Sequence, residues 1–168
     1  EPAAKAPEAH LAQFGEGSGP RQEDRLFRLL DEAGTKRQSN AVAFDRGSDN
    51  ATVAMHMRAK LRVLKGGDGG SFLVLNTAEY GVRGPAPFLK SWVEPNLSKT
   101  FAVGIDVHNP PSKEMFTPWG NYQDLPQREI SLHWDGREIV KRVAPKEFRG
   151  DFADIAVRVY PVVGGSEV

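Results

Sequence analysis

An antiparallel, all-β sandwich of jelly-roll type is the fold class this sequence predicts, on three observations. The 17 Gly and 12 Pro residues punctuate the chain at short intervals. Between them lie short segments in which apolar and polar residues alternate, the period of a half-buried strand. Asp135-Gly136, between Trp134 and Arg137, is the signal of a two-residue hairpin turn. Many short strands separated by Gly and Pro turns read as a sandwich or jelly roll.

Residues 1–12 open on a Pro- and Ala-rich stretch, EPAAKAPEAH, expected to be a flexible N-terminal segment ahead of one β-sandwich domain over residues 13–168. Arg21 to Ala33 is the main helical candidate, with Leu26, Leu29 and Leu30 on one face; the run reads equally as a strand interrupted by a turn. Asn40 to Asp45 and Ser71 to Asn76 are short apolar runs expected to be buried strands. Thr52 to Val63 alternates most clearly. Val53, Met55, Met57, Ala59, Leu61 and Val63 take one face, and Thr52, His56, Arg58, Lys60 and Arg62 the other. Phe101 to Val107, Glu129 to Trp134, Glu138 to Val143 and Ile155 to Val163 complete the strand set. A short helical turn is expected at Pro145 to Arg149.

Composition narrows the function. With 168 residues and a 39% apolar fraction, one domain with one core is the expectation. Lys plus Arg and Asp plus Glu number 22 each, for a formal net charge of zero. That balance removes the usual electrostatic reason for a nucleic-acid partner or a polybasic membrane contact. No apolar run approaches the roughly 20 residues of a membrane-spanning helix. There is no Cys, so disulfides and thiolate metal sites are excluded.

The chemistry-bearing stretches are Gly66 to Gly84 and Phe101 to Pro111. In the first, the Gly-flanked Asp68 precedes a strand and is placed to hydrogen-bond a polar ligand. In the second, a strand ends in Asp106, and Asn109 follows in a Pro-rich loop, an arrangement suited to a hard cation. Each has a plainer reading. Gly-Asp-Gly is ordinary turn chemistry, and Asp106 with Asn109 can cap a loop leading into Pro110 and Pro111. His10, His56, His108 and His133 are dispersed without metal-ligand spacing. Tyr80, Trp92, Trp119 and Tyr122 lie in or beside loops, where rings stack on sugar C–H faces or anchor the loops. The stripe Arg58, Lys60, Arg62 is explained by a solvated sheet face. No GxSxG, Cys/His or phosphate-loop motif is present.

The order Asn40 to Phe44, Thr52 to Val63, Gly67 to Leu75 and Phe101 to Asn109 resembles the concanavalin A-like L-type lectin/glucanase jelly-roll family, over roughly residues 40–163. The resemblance implies a carbohydrate-binding, non-catalytic module, calcium-assisted and extracytoplasmic. Asp68 and Gly69 would contact sugar hydroxyls, as would Asn109, with Trp119 and Tyr122 beside them. Asp106, the His108 carbonyl, Asn109, Asn121 and Asp124 would hold Ca²⁺. Gly104 stands where the family has the Glu of its transition-metal site, and Glu129 where it has His, so no manganese-type site is expected. The step from Asp106 to Asn109 is one residue shorter than the legume pattern. The glycosidases of the family carry Glu-x-Asp-x-x-Glu; both Glu positions are missing from Gly104-Ile105-Asp106-Val107-His108-Asn109. The family also implies further strands beyond Val163, so the sandwich is expected to be minimal, completed by another chain or domain, or a piece from which the remaining strands were removed. Two alternatives stand beside the lectin: a polysaccharide hydrolase or lyase using Glu129 with Asp124, and a structural or adhesive sandwich that binds protein.

Overall fold

The computed structural model describes residues 8–30, 38–46, 54–64, 69–87, 95–107, 115–117, 120–122, 128–144 and 148–168. These form thirteen strands and one helical turn: β1 (Ala9–Gly15), β2 (Arg21–Glu23), β3 (Leu26–Arg28), β4 (Gln38–Phe44), β5 (Met55–Leu61), β6 (Gly69–Leu75), α1 (Thr77–Tyr80), β7 (Thr100–Asp106), β8 (Met115–Thr117), β9 (Gly120–Tyr122), β10 (Glu129–Trp134), β11 (Arg137–Val143), β12 (Ala153–Val162) and β13 (Gly165–Glu167). Every strand pair is antiparallel. The chain is therefore all-β, as its alternation predicts.

The central sheet has the order β11-β10-β7-β6, and a second has the order β13-β12-β5. β1 pairs with β4, β2 with β3, and β8 with β9. On β5, Met55, Met57, Ala59 and Leu61 are half-buried while His56, Arg58 and Lys60 are exposed, the face assignment its alternation predicts. The hairpin between β10 and β11 turns at Asp135 and Gly136, with φ of 49° and 75°. Positive φ at both central residues is the geometry whose twist suits a two-residue hairpin.

One hydrophobic cluster joins the two larger sheets. Val63, Ile105, Val107, Ala144 and Phe148 are its buried members. Phe72 and Ile130 pack on it from the central sheet, and Leu61, Ala153 and Ile155 from the other. Arg149 ties the strand ends together: its guanidinium donates to the carbonyls of Leu64 (2.9 Å) and Val107 (3.2 Å). Val63 bridges to Arg149, in parallel, through the bond from its N–H to the Phe148 carbonyl.

Some elements differ from the sequence reading. Arg21 to Arg28 is not the helix but the other reading of that run, a strand interrupted by a turn: β2 turns at Asp24 (φ 51°) into β3, and residues 31–33 of the run lie outside the described residues. The helical spacing of its leucines yields to backbone pairing and to Asn40, whose amide donates to the Leu29 carbonyl at 2.7 Å. β1 begins at Ala9, inside the segment expected to be flexible, because β4 offers it a full-length partner. The single turn α1 is an addition; the Asn76 side chain caps it by accepting from the Ala78 N–H at 2.9 Å. Of the helical turn expected at Pro145 to Arg149, residues 145–147 lie outside the described residues, and Arg149 forms the β-bridge.

Candidate functional site

Period-two geometry gives the central sheet two unlike faces. Phe72, Ile105 and Ile130 point into the hydrophobic cluster. Thr100, Asp106, Glu129, Ser131 and His133 occupy the alternate positions and are nevertheless buried. Backbone register arranges them in rows: Gly69, Asp106 and Glu129 lie side by side, then Ser71, Gly104 and Ser131, then Leu73, Ala102 and His133. Side chains at directly opposed positions have Cβ atoms about 4.5–5.5 Å apart. Asp106, 7% exposed, and Glu129, 1% exposed, are therefore neighbouring carboxylates.

Lys141, opposite Ser131 on β11, supplies a cation: its Nζ lies 3.3 Å from Glu129 Oε1 and 3.6 Å from Glu138 Oε2. Among the described residues no hydrogen bond reaches Asp106 Oδ2 or Glu129 Oε2, although both residues have other partners. Two adjacent carboxylates are hard oxygen donors of the kind Ca²⁺ takes. The close approach of β6 to β7 at this end needs glycine: a Cβ on Gly69 would collide with the Ile105 carbonyl oxygen.

Further along the face, His133 is fully buried. Its Nδ1 lies 2.8 Å from Asn96 Oδ1, and its Nε2 lies 2.8 Å from Ser131 Oγ. The amide oxygen selects the Nδ1–H tautomer, so Nε2 accepts from the Ser131 hydroxyl. This is the hydrogen-bond order of a nucleophile, base and orienting group. Ser131, however, is only 4% exposed, and its Oγ packs over the Cα of Gly104. The triplet acts as internal polar structure.

A second group able to hold a metal lies at the end of the β1–β4 ribbon. The ligand atoms of Glu8, His10 and Asp45 are all within 4.8 Å of one another. His10 Nε2 is 2.6 Å from Asp45 Oδ1, which also accepts from the Gly84 N–H at 3.2 Å. Burial pushes the Asp45 carboxyl up, but the hydrogen bonds from His10 and Gly84, with the charges of His10 and Arg83, outweigh it and hold the carboxyl below its ordinary value.

Of the residues singled out from sequence, Gly69 and Asp106 come together as register partners. Asn121 and Tyr122 lie on β9. Asp68, His108, Asn109, Trp119 and Asp124 lie outside the described residues, as does Trp92. Tyr80 anchors a loop, its hydroxyl donating to the Ser98 carbonyl at 2.7 Å. Neither the Ser131–His133–Asn96 chain nor the Lys141–Glu129 pair was foreseen. Their signal was the polar alternation Glu129, Ser131, His133, which reads as a solvated face unless that face is known to be covered. A depression of about 560 Å³ among the described residues lies elsewhere, lined by Glu23, Asp24, Arg25, Leu26, Lys60 and Phe152. No protein family, curated protein or solved structure with which the chain was compared matches it.

Proposed function

We propose that this chain is a non-catalytic, lectin-like carbohydrate-binding module on a jelly-roll sandwich, assisted by calcium and working outside the cytoplasm. The observation that carries the reading is the row Gly69, Asp106, Glu129. The start of β6, the end of β7 and the start of β10 share one end of one sheet, so the segments that precede or follow them in the chain attach there together. Those segments hold Asp68, then His108 and Asn109, then Asp124. In this proposal Asp106, the His108 carbonyl, Asn109, Asn121 and Asp124 hold the ion. It would supply a fixed positive charge that orients the loop and the sugar hydroxyls. Asp68, Gly69 and Asn109 bind those hydroxyls, and Trp119 and Tyr122 offer ring faces to the sugar. A partner chain or domain that completes the sandwich belongs to the same proposal.

The test is a glycan-array screen of the whole chain with calcium and again with chelator, repeated with Asp68→Ala and Asn109→Ala. The proposal expects calcium-dependent binding, abolished by the first variant and weakened in the second, which should also need more calcium. Binding indifferent to chelator would keep the lectin and remove the ion. Turnover of a bound polysaccharide, lost in Glu129→Gln, would make the chain an enzyme. A blank array together with concentration-dependent self-association or protein capture would make it an adhesive module.

A further inference from the structure

The outward face of the second sheet carries an arrangement that the lectin reading does not use. On β5, His56, Arg58 and Lys60 are exposed, and across the ladder His56 faces Arg158 while Lys60 faces Asp154. Lys60 is neutralised there, its Nζ 3.1 Å from Asp154 Oδ1. The two arginines are not. Arg58 Nε donates to His56 Nε2 at 3.2 Å, and Arg158 Nε approaches the same nitrogen at 3.4 Å. Among the described residues no carboxylate pairs with either guanidinium. Two cations thus converge on one imidazole, which serves both as an acceptor and so carries its proton on Nδ1.

We propose that His56, Arg58 and Arg158 form an anion-binding site for the sulfate or carboxylate groups of an acidic polysaccharide. A guanidinium presents parallel N–H donors that match two oxygens of one anionic group, and two such forks beside each other fit a polymer bearing closely spaced anions. Each fork spends its Nε on the imidazole, which leaves the terminal amino groups to face outward. Tyr160, two residues beyond Arg158 on the same side of β12, is 49% exposed and offers a ring for a sugar C–H face. The limited charge favours this occupant over duplex nucleic acid, which draws affinity from many simultaneous phosphate contacts. The site stands on a different sheet from Asp106 and Glu129, so it does not depend on the calcium-assisted reading.

Burial and then the charges of Arg58 and Arg158 hold the His56 imidazole below its ordinary 6.5. An anion between the arginines cancels the two repulsive charges. His56 then takes up a proton on Nε2, which frees the two Nε–H groups it had accepted from to meet the anion and adds a third positive charge, so binding tightens as pH falls. Lys60, Asp154, Tyr160 and Glu167 also face this side.

The experiment uses the full chain and four polymers: heparin for sulfate, polygalacturonate for carboxylate, duplex DNA and neutral dextran. Affinity is measured at about pH 6 and about pH 8, with the His56 ring followed by NMR titration. The proposal expects heparin or polygalacturonate to bind more tightly at the lower pH and to raise the His56 midpoint. Which of the two binds identifies the anionic group. Arg58→Gln with Arg158→Gln weakens binding about tenfold, while Lys60→Gln, whose charge is already paired, changes it less than about twofold. Four results would each overturn it: no binding to either acidic polysaccharide, equal losses in the arginine and lysine variants, a His56 midpoint unmoved by saturating polymer, or DNA binding as tight as polysaccharide.

Discussion

Gly104→Ala tests the packing of the buried polar face with one methyl group. An added Cβ would sit 2.5 Å from Ser131 Oγ, 3.4 Å from Pro95 Cδ and 3.5 Å from His133 Nε2. The last two are tolerable contacts; the first is not. The hydroxyl must rotate away, which breaks its 2.8 Å bond to His133 Nε2 inside the protein. Losing that bond costs about 1–2 kcal/mol. Crowding adds about 1–2 kcal/mol, and replacing a strand glycine returns about 0.5–1 kcal/mol. The net expectation is a loss of about 2 kcal/mol. Ser131→Ala alone should cost about 1–2 kcal/mol through the same bond. In the Ser131→Ala background the methyl meets no hydroxyl, so Gly104→Ala becomes neutral or slightly stabilising. The double variant is then more stable than the sum of the singles by about 2 kcal/mol. Urea denaturation of the four proteins, compared at constant m-value, reads this coupling directly. Additivity within about 0.5 kcal/mol would refute the contact between residue 104 and the Ser131 hydroxyl.

Three further outcomes are expected. Lys141→Met removes the cation 3.3 Å from buried Glu129 and should destabilise the fold by about 2 kcal/mol, less than the full cost of breaking a buried pair because Lys141 is partly exposed; thermal melting checks it, and Glu129→Gln in the same chain should recover part of the loss. Asp45, held below its ordinary value of 3.8, contributes stability that is present above that value and lost as pH falls through the lower, folded one; His10→Ala should raise the Asp45 midpoint in a carboxyl NMR titration, and an unmoved midpoint would show that Gly84 and Arg83 suffice. Gly136→Ala places a side chain at φ 75° in the β10–β11 hairpin and should cost about 1 kcal/mol in denaturant unfolding.

Where burial is one-sided, the sequence was legible. β5 shows its faces in the plain alternation of MHMRAKL, β10 runs from Glu129 to Trp134 as predicted, and Asp135-Gly136 marks its own turn. β2 and β3 were obscured because Leu26, Leu29 and Leu30 fall at a spacing that helices also use, and three-residue strands are too short to show a period. The polar face of the central sheet was obscured for a different reason. Glu129, Ser131 and His133 have the composition of a solvated face, and only the third dimension reveals that all three are buried. That Gly69 and Asp106 are register partners was equally beyond the sequence, since pairing depends on which strands adjoin rather than on what each contains.

The two-faced character of β10 has a consequence for how the chain assembles. Sliding β10 by one residue against β7 would thrust Glu129 and His133 into the company of Ile105 and Phe72. The same slip would set Ile130 and Leu132 among Asp106 and Thr100, where carboxylate and hydroxyl would lose their neighbours. A strand with one wet face tolerates half of such a mistake; here both halves are penalised at once. The polar side chains therefore specify the pairing of the central sheet, because a misaligned arrangement is penalised on both faces.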